Sequence, residues 1–146
     1  DLPILFPALG PSAFILFSSP FSPAAAPRSV IMGHFVSIAV GYATWCLVSF
    51  ASGHPVSLDT GGWPVLASAS LAMAASCVLL ICLACPHAPG CATALITALG
   101  AANSWVSLLG MMAGVVLLTV QAVLFSRLAG VNVPLWSPRL HDVQHG

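Results

Sequence analysis

The chain has 146 residues, of which 59% are hydrophobic and 4% are charged, and its mean hydropathy is +1.04. A soluble domain carries roughly 25% charged residues, so the outer surface of this protein must face lipid. Three arginines balance three acidic residues. Because this leaves no basic patch to neutralise phosphates, nucleic acid is excluded as a partner.

Five apolar segments follow one another along the chain as one membrane domain. We predict a broken segment over 4–17, helices over 29–51 and 63–85, a broken segment over 86–101, a helix over 104–128 and a polar tail over 129–146. The unbroken helices are long enough to cross a hydrocarbon core of about 30 Å. Segment 86–101 crosses only if residues 86–90 are extended, as we expect. The sequence predicts an all-α integral membrane bundle of about five transmembrane segments.

The two broken segments resemble each other. Gly10-Pro11-Ser12-Ala13-Phe14-Ile15 aligns with Cys91-Ala92-Thr93-Ala94-Leu95-Ile96, and a spanning helix that contains glycine follows each copy. Broken helices at matching places in two halves of a chain are typical of a transporter's binding site. If all five segments cross, the two units are inverted relative to each other. The chain begins within an apolar run, so we expect that an N-terminal helix is missing from it.

The arginines discriminate between two topologies. If all segments cross, Arg28, Arg127 and Arg139 fall on one side of the membrane, as the positive-inside rule expects. If the fourth segment is a re-entrant hairpin, Arg28 and Arg127 fall on opposite sides. The charge distribution therefore favours crossing.

Ser12 and Thr93 lie just inside the starts of the two broken helices, where hydroxyls, free backbone amides and the positive end of the helix dipole converge. Such a site holds an anion without a formal cation. The alternative is that each hydroxyl bonds back to its own helix. We predict no catalytic residue, because no Asp, Glu or Lys lies in a spanning segment. The predicted substrate-binding residues are Gly10, Pro11, Ser12, His87, Gly90, Cys91, Thr93 and Asn103.

Arg28 and His34 are assigned to a gate or to the surroundings of the site. For His34 three interpretations stay open: a proton-linked gate, a substrate ligand, or an interfacial histidine whose ring nitrogens have hydrogen-bond partners. The pattern formed by Cys82, Cys85, His87 and Cys91 resembles a metal site, since thiolate and imidazole suit zinc or copper(I). Because Pro86 separates the cysteine pair from His87, we predict neither a metal nor a cofactor.

The stretch 87–96, His-Ala-Pro-Gly-Cys-Ala-Thr-Ala-Leu-Ile, resembles the signature of the HPP integral-membrane family, in which His-Pro-Pro precedes a small-residue run ending Ala-Thr-Ala-Leu-Ile. Residues 17–41 are similar to the family's other shared block. Ala88, Ser29 and Met32 depart from the expected proline, asparagine and glycine. The resemblance implies a small multi-helix membrane protein. Some members are associated with nitrite transport across plastid or bacterial membranes.

Together these observations predict a membrane transporter for a small inorganic anion such as nitrite, in a bacterial inner membrane or a plastid membrane, and not an enzyme. Its expected partners are the anion and the lipid bilayer. A homo-oligomer stays open, because Gly110 and Gly114 form one helix-packing motif. The main alternative is a non-transporting scaffold or a channel-like subunit. A thiol or metal membrane protein is the more distant alternative.

Overall fold

The computed structural model describes residues 7–59 and 61–137, and all the regular elements there are helices. α2, α3 and α5 are each long and apolar enough to span a membrane, whereas α1 and α4 have 10 residues each. Ten residues make a helix of about 15 Å, half of the hydrocarbon core. The predicted all-α membrane bundle is confirmed for this part of the chain. The helices are α1 (Leu9–Ser18), α2 (Pro27–Ser52), α3 (Gly62–Cys82), α4 (Pro89–Ala98) and α5 (Trp105–Leu128).

α2 is the central helix, and its largest interface is with α4. Glycines permit this close approach. A Cβ atom at Gly41 would lie 2.5 Å from the carbonyl oxygen of Ala94, and a Cβ atom at Gly90 would lie 2.9 Å from the carbonyl oxygen of Gly33. Small residues of this kind let helix backbones approach in lipid, where no hydrophobic force draws helices together.

α4 runs alongside α2 in the same direction. Gly90 lies against Gly33 in the first third of α2, whereas Gly100, just after α4, lies against Trp45 and the Val56 carbonyl near the opposite end. The fourth segment therefore carries the chain from one end of the bundle to the other.

Arg28 and Arg127 lie at the same end of the bundle. The Arg28 amide donates to the Trp136 carbonyl at 3.0 Å, a few residues after α5. Pro27 and Arg127 line one surface groove. This is the placement expected if the fourth segment crosses. Arg139 lies outside the described residues.

The connection between α3 and α4 differs from the expected extended stretch. α3 ends at Cys82 rather than Cys85, Ala84 adopts a φ of 49°, and α4 begins at Pro89. The Cys85 amide donates to the Leu80 carbonyl at 2.9 Å and closes the turn. Pro86 disfavours helix at the residue before it and has no amide to continue one. The second broken segment is therefore a half-length helix that follows a tight turn.

α1 points away from α4. Its first residue, Leu9, contacts the position of Gly114 near the middle of α5. Near its other end, Leu16 packs with Ala25 and Val30 beside the start of α2. Both half-length helices thus begin inside the bundle and diverge toward opposite ends, as two inverted units would.

Candidate functional site

Four buried polar side chains from α1, α2, α4 and the turn before α4 form a hydrogen-bonded chain. The Ser12 hydroxyl lies 2.9 Å from Nε2 of His34 and 3.0 Å from Nε2 of His87. Nδ1 of His34 lies 2.7 Å from the Thr93 hydroxyl. All four side chains are fully buried. We call Ser12, His34, His87 and Thr93 the polar cluster.

Backbone carbonyls anchor the polar cluster at two points. Nδ1 of His87 donates to the carbonyl oxygen of Ala24 at 2.8 Å. Because a carbonyl only accepts, Nδ1 carries the proton, and Nε2 of a neutral His87 is an acceptor. The Ser12 hydroxyl also lies 2.9 Å from the Ala8 carbonyl, one turn earlier.

The backbone geometry around the two histidines fixes both rings. Ala24 belongs to a short 3₁₀ turn, Pro23–Ala25, whose start is capped by the Ser22 hydroxyl. His87 fits against α2 because residue 33 is glycine, where a Cβ atom would lie 2.9 Å from the His87 Cβ. The rings of His34 and His87 then meet edge to face with centroids 5.0 Å apart.

The structure brings part of the predicted site together. Ser12, His87 and Thr93 join His34 in the polar cluster, and the starts of α1 and α4 therefore meet through one imidazole. Gly90 and Cys91 are buried in the first turn of α4, beside the cluster.

The remaining predicted site residues lie apart from the cluster. Gly10 and Pro11 are exposed on α1. Asn103 lies after α4, where its amide nitrogen faces the Thr97 carbonyl at 2.8 Å and its oxygen faces the Trp45 indole at 3.0 Å. The Asn103 side chain thus holds the connection between α4 and α5.

The backbone amides at the start of α4 are already bonded, contrary to the expectation that they would be free. The Gly90 amide donates to the His87 carbonyl at 2.9 Å, and the Cys91 amide donates to the Ala88 carbonyl at 3.0 Å. The turn that precedes α4 supplies these acceptors. Side chains and the helix dipole, rather than these two amides, are left to attract an anion.

Arg28 contacts a helix end instead of the polar cluster. Its guanidinium donates to the carbonyls of Leu83 and Ala84 at 3.1 and 3.0 Å. These carbonyls follow α3 and would otherwise lack partners within that helix. Arg28 therefore ties the end of α3 to the start of α2.

The cysteines pair differently from the sequence pattern. The sulfur atoms of Cys77 and Cys91 lie 3.6 Å apart, whereas Cys82 is exposed. Among the described residues, no group of three His, Cys, Asp or Glu side chains is placed to hold a metal ion. Cys77, Cys91 and His87 instead line a cavity of about 230 Å³ between α3 and α4.

Two features of the site were missed from the sequence. One is the Ala24 carbonyl, which no side-chain pattern reveals. The other is Ser37, whose hydroxyl is fully buried without a hydrogen-bond partner and lies 2.9 Å from the Cβ position of Gly90. A signal existed for Ser37, because Ser29, Gly33, Ser37 and Gly41 recur every four residues along one face of α2.

These features define an α-helical membrane protein in which two half-length helices meet at a buried polar cluster. The chain belongs to the HPP transmembrane family, whose profile matches residues 1–134. It is 31% identical over 105 residues to a transmembrane protein of Dictyostelium discoideum, a match that covers 72% of this chain and 33% of that protein. The chain thus spans about a third of the length of that relative. No solved structure matches it significantly.

Proposed function

We propose that this protein transports a small inorganic anion, with nitrite as the candidate substrate, and that the anion binds beside the polar cluster. The observation that carries the proposal is the chain of hydrogen bonds from Thr93 through His34 and Ser12 to His87. Nitrite is named because some members of the HPP family are associated with its transport.

Placing four polar groups at the centre of a lipid-facing bundle has a free-energy cost that an apolar core would not have. Each polar group removed from water must find a partner, and apolar side chains would pack α1, α2 and α4 together without that demand. Polar and ionisable residues inside membrane segments are therefore functional candidates by default. Here they link the two helices whose broken starts predict a transport site.

The charges near the cluster favour an anion over a cation. No Asp or Glu lies within α1 to α5, so no carboxylate is available to hold a cation there. α1 and α4 both begin at the cluster, and the positive ends of their dipoles point toward it. The unpartnered Ser37 hydroxyl adds a donor beside the start of α4.

The proposed approach of the anion to the cluster is from the side of α3. A surface cavity of about 230 Å³ is lined there by Cys77, Pro86, His87 and Cys91, and His87 belongs to the polar cluster as well. An anion in this cavity would lie against the wall formed by His87, whose side chain is otherwise fully buried.

Uptake of nitrite by proteoliposomes that contain the full chain tests the proposal against protein-free vesicles. We expect saturable uptake that His34→Gln lowers about tenfold, since a buried hydroxyl of Ser12 or Thr93 that loses its imidazole partner costs about 1–3 kcal/mol. His54→Gln is the matched control, because His54 is exposed in the loop after α2. Uptake no faster than through protein-free vesicles, for nitrite and for other small anions, would favour the scaffold alternative.

A further inference from the structure

The polar cluster makes more close contacts than its own protons can fill. Five contacts join Ser12, His34, His87 and Thr93 to one another and to the carbonyls of Ala8 and Ala24. With both imidazoles neutral, the four side chains carry four exchangeable protons, one on each. One contact is then left without a hydrogen.

The position of the unfilled contact follows from the fixed donors. Nδ1 of His87 is held as a donor by the Ala24 carbonyl. If the Ser12 hydroxyl donates to the Ala8 carbonyl, the Ser12 oxygen and the bare Nε2 of His87 face each other at 3.0 Å with no proton between them. One further proton on Nε2 of His87 fills this contact, and all five hydrogen bonds then form.

The cluster accepts one such proton and not two. The ring centroids of His34 and His87 are 5.0 Å apart, and two positive charges at that distance disfavour each other strongly. With the Ser12 hydroxyl donating to the Ala8 carbonyl, a neutral His34 completes its two bonds in the tautomer that donates from Nε2 to Ser12 and accepts from Thr93 at Nδ1. The added charge therefore belongs on His87.

An anion at the cavity needs a compensating positive charge, and among the described residues the two histidines are placed to supply it. The Arg28 guanidinium is bound to the carbonyls of Leu83 and Ala84, and Arg127 donates to the Val133 carbonyl at 3.1 Å. No carboxylate lies on the helices that pack around the rings. The other charged or titratable groups on these elements are Arg28, Tyr42, Cys46, Cys77, Cys82, Cys85, Cys91 and Arg127.

We propose that each anion is bound and carried together with one proton, which resides on Nε2 of His87, so that the protein is an electroneutral anion–proton symporter. The inference rests on the proposed transport function and names its coupling ion. The proton enters from the same solution as the anion, bonds to His87 while the anion occupies the cavity, and leaves with it. No covalent bond to the anion forms or breaks.

Calorimetric titration of the detergent-solubilised full chain with nitrite, in buffers of different ionisation enthalpy, counts the protons taken up on binding. We expect one proton per bound anion near neutral pH. His87→Gln keeps a polar side chain that cannot be protonated, so proton uptake should vanish and affinity should fall at least tenfold. His54→Gln, outside the cluster, should retain the uptake of one proton.

Initial rates of protein-dependent nitrite uptake, above those of protein-free vesicles, test the same proposal during transport. We expect the rate to rise with an inward proton gradient and to stay unchanged when valinomycin and potassium impose a membrane potential. Binding without proton uptake, or a rate that follows the potential, would overturn proton coupling and leave anion transport standing. Absence of both nitrite binding and nitrite uptake would overturn the transport function and the coupling together.

Discussion

The two half-length helices carry the same kind of polar residue at the centre of the bundle, yet they are held very differently. In α4, seven of ten residues are buried, and the helix lies between α2 and α3. In α1, Ser12 and Leu16 are the buried residues, and the helix packs chiefly on α5. Phe14 of α1 is 72% exposed.

We infer from this difference that α1 and α4 have different roles in the proposed transport cycle. α4 packs closely on α2 at Gly41 and Gly90, where there is no space even for one added Cβ atom. α1 is tied to the polar cluster through one hydroxyl, that of Ser12. Segments with few buried contacts open at the lowest free energy, so we expect α1 to move during transport while α4 stays in place.

The largest expected effect comes from cross-linking α1. Leu9 of α1 contacts the position of Gly114 in α5, so cysteines at both places can be joined by a short bifunctional thiol reagent. In a background whose other cysteines are replaced, Leu9→Cys with Gly114→Cys should lose nearly all nitrite uptake on cross-linking and regain it on cleavage of the linker.

A second cross-link, between α3 and the end of α4, provides the matched control for α4. The Ser68 hydroxyl of α3 donates to the Ala98 carbonyl at 2.7 Å, and neither residue lines the cavity beside His87. In the same cysteine-free background, we expect Ser68→Cys with Ala98→Cys to keep uptake within about twofold on cross-linking, because α4 stays in place. Loss of uptake on this cross-link, with the α1 cross-link silent, would reverse the assignment of the moving helix.

The same Gly→Ala change in the two regions should have opposite effects on stability. At Gly41 the new Cβ atom would lie 2.5 Å from the Ala94 carbonyl oxygen, whereas at Gly10 nothing lies within 4 Å. Overpacking costs about 1–3 kcal/mol, while alanine gains up to about 1 kcal/mol of helix propensity at either position. Thermal unfolding in detergent should therefore show Gly41→Ala destabilised and Gly10→Ala unchanged or stabilised. Equal shifts in the unfolding temperature of the two variants would contradict the inference that close packing makes Gly41→Ala destabilising.

Removal of either hydroxyl of the cluster should weaken nitrite binding, and Ser12 should matter more than Thr93. Ser12→Ala leaves Nε2 of both histidines without a partner, whereas Thr93→Val keeps the side-chain shape and leaves only Nδ1 of His34 without one. An unsatisfied buried group costs about 1–3 kcal/mol. We expect affinity to fall roughly ten- to a hundredfold for Ser12→Ala and less for Thr93→Val in the calorimetric titration. The opposite ranking would indicate that the anion binds mainly to α4.

The smallest effect on binding is expected for Arg28→Gln. Arg28 donates to the carbonyls at the end of α3 and does not contact the polar cluster. Its replacement should lower the free energy of unfolding by about 1.5–3 kcal/mol, since the two hydrogen bonds that are lost come from a charged group. Nitrite affinity should change by less than about twofold. If Arg28→Gln abolished binding while Thr93→Val had no effect, the anion site would lie at the arginine.

The sequence predicted those features of the fold that depend on a short local pattern of residues. Three long apolar runs predicted α2, α3 and α5, because lipid requires each backbone to satisfy its own hydrogen bonds within a helix. Pro89 predicted the start of a short helix, because proline is favoured at the first helical position. Pro11 marks no break, because it lies in the first turn of α1, which begins at Leu9. The extended stretch expected over 86–90 was wrong from residue 88 onward, because Ala88 is already in the helical region of backbone conformation and α4 begins at Pro89.

The sequence by itself determined that this is a helical membrane protein of the HPP type with two broken segments and hydroxyls at their starts. Only the tertiary structure decided that His34, 22 residues from Ser12 and 59 from Thr93, bonds to both of them. The Ala24 carbonyl is 63 residues from His87 in sequence, and only the tertiary structure brings it to 2.8 Å from Nδ1 of that ring. Proline and apolar periodicity act over a few residues, whereas hydrogen bonds between helices depend on rotations and crossings that no local pattern specifies.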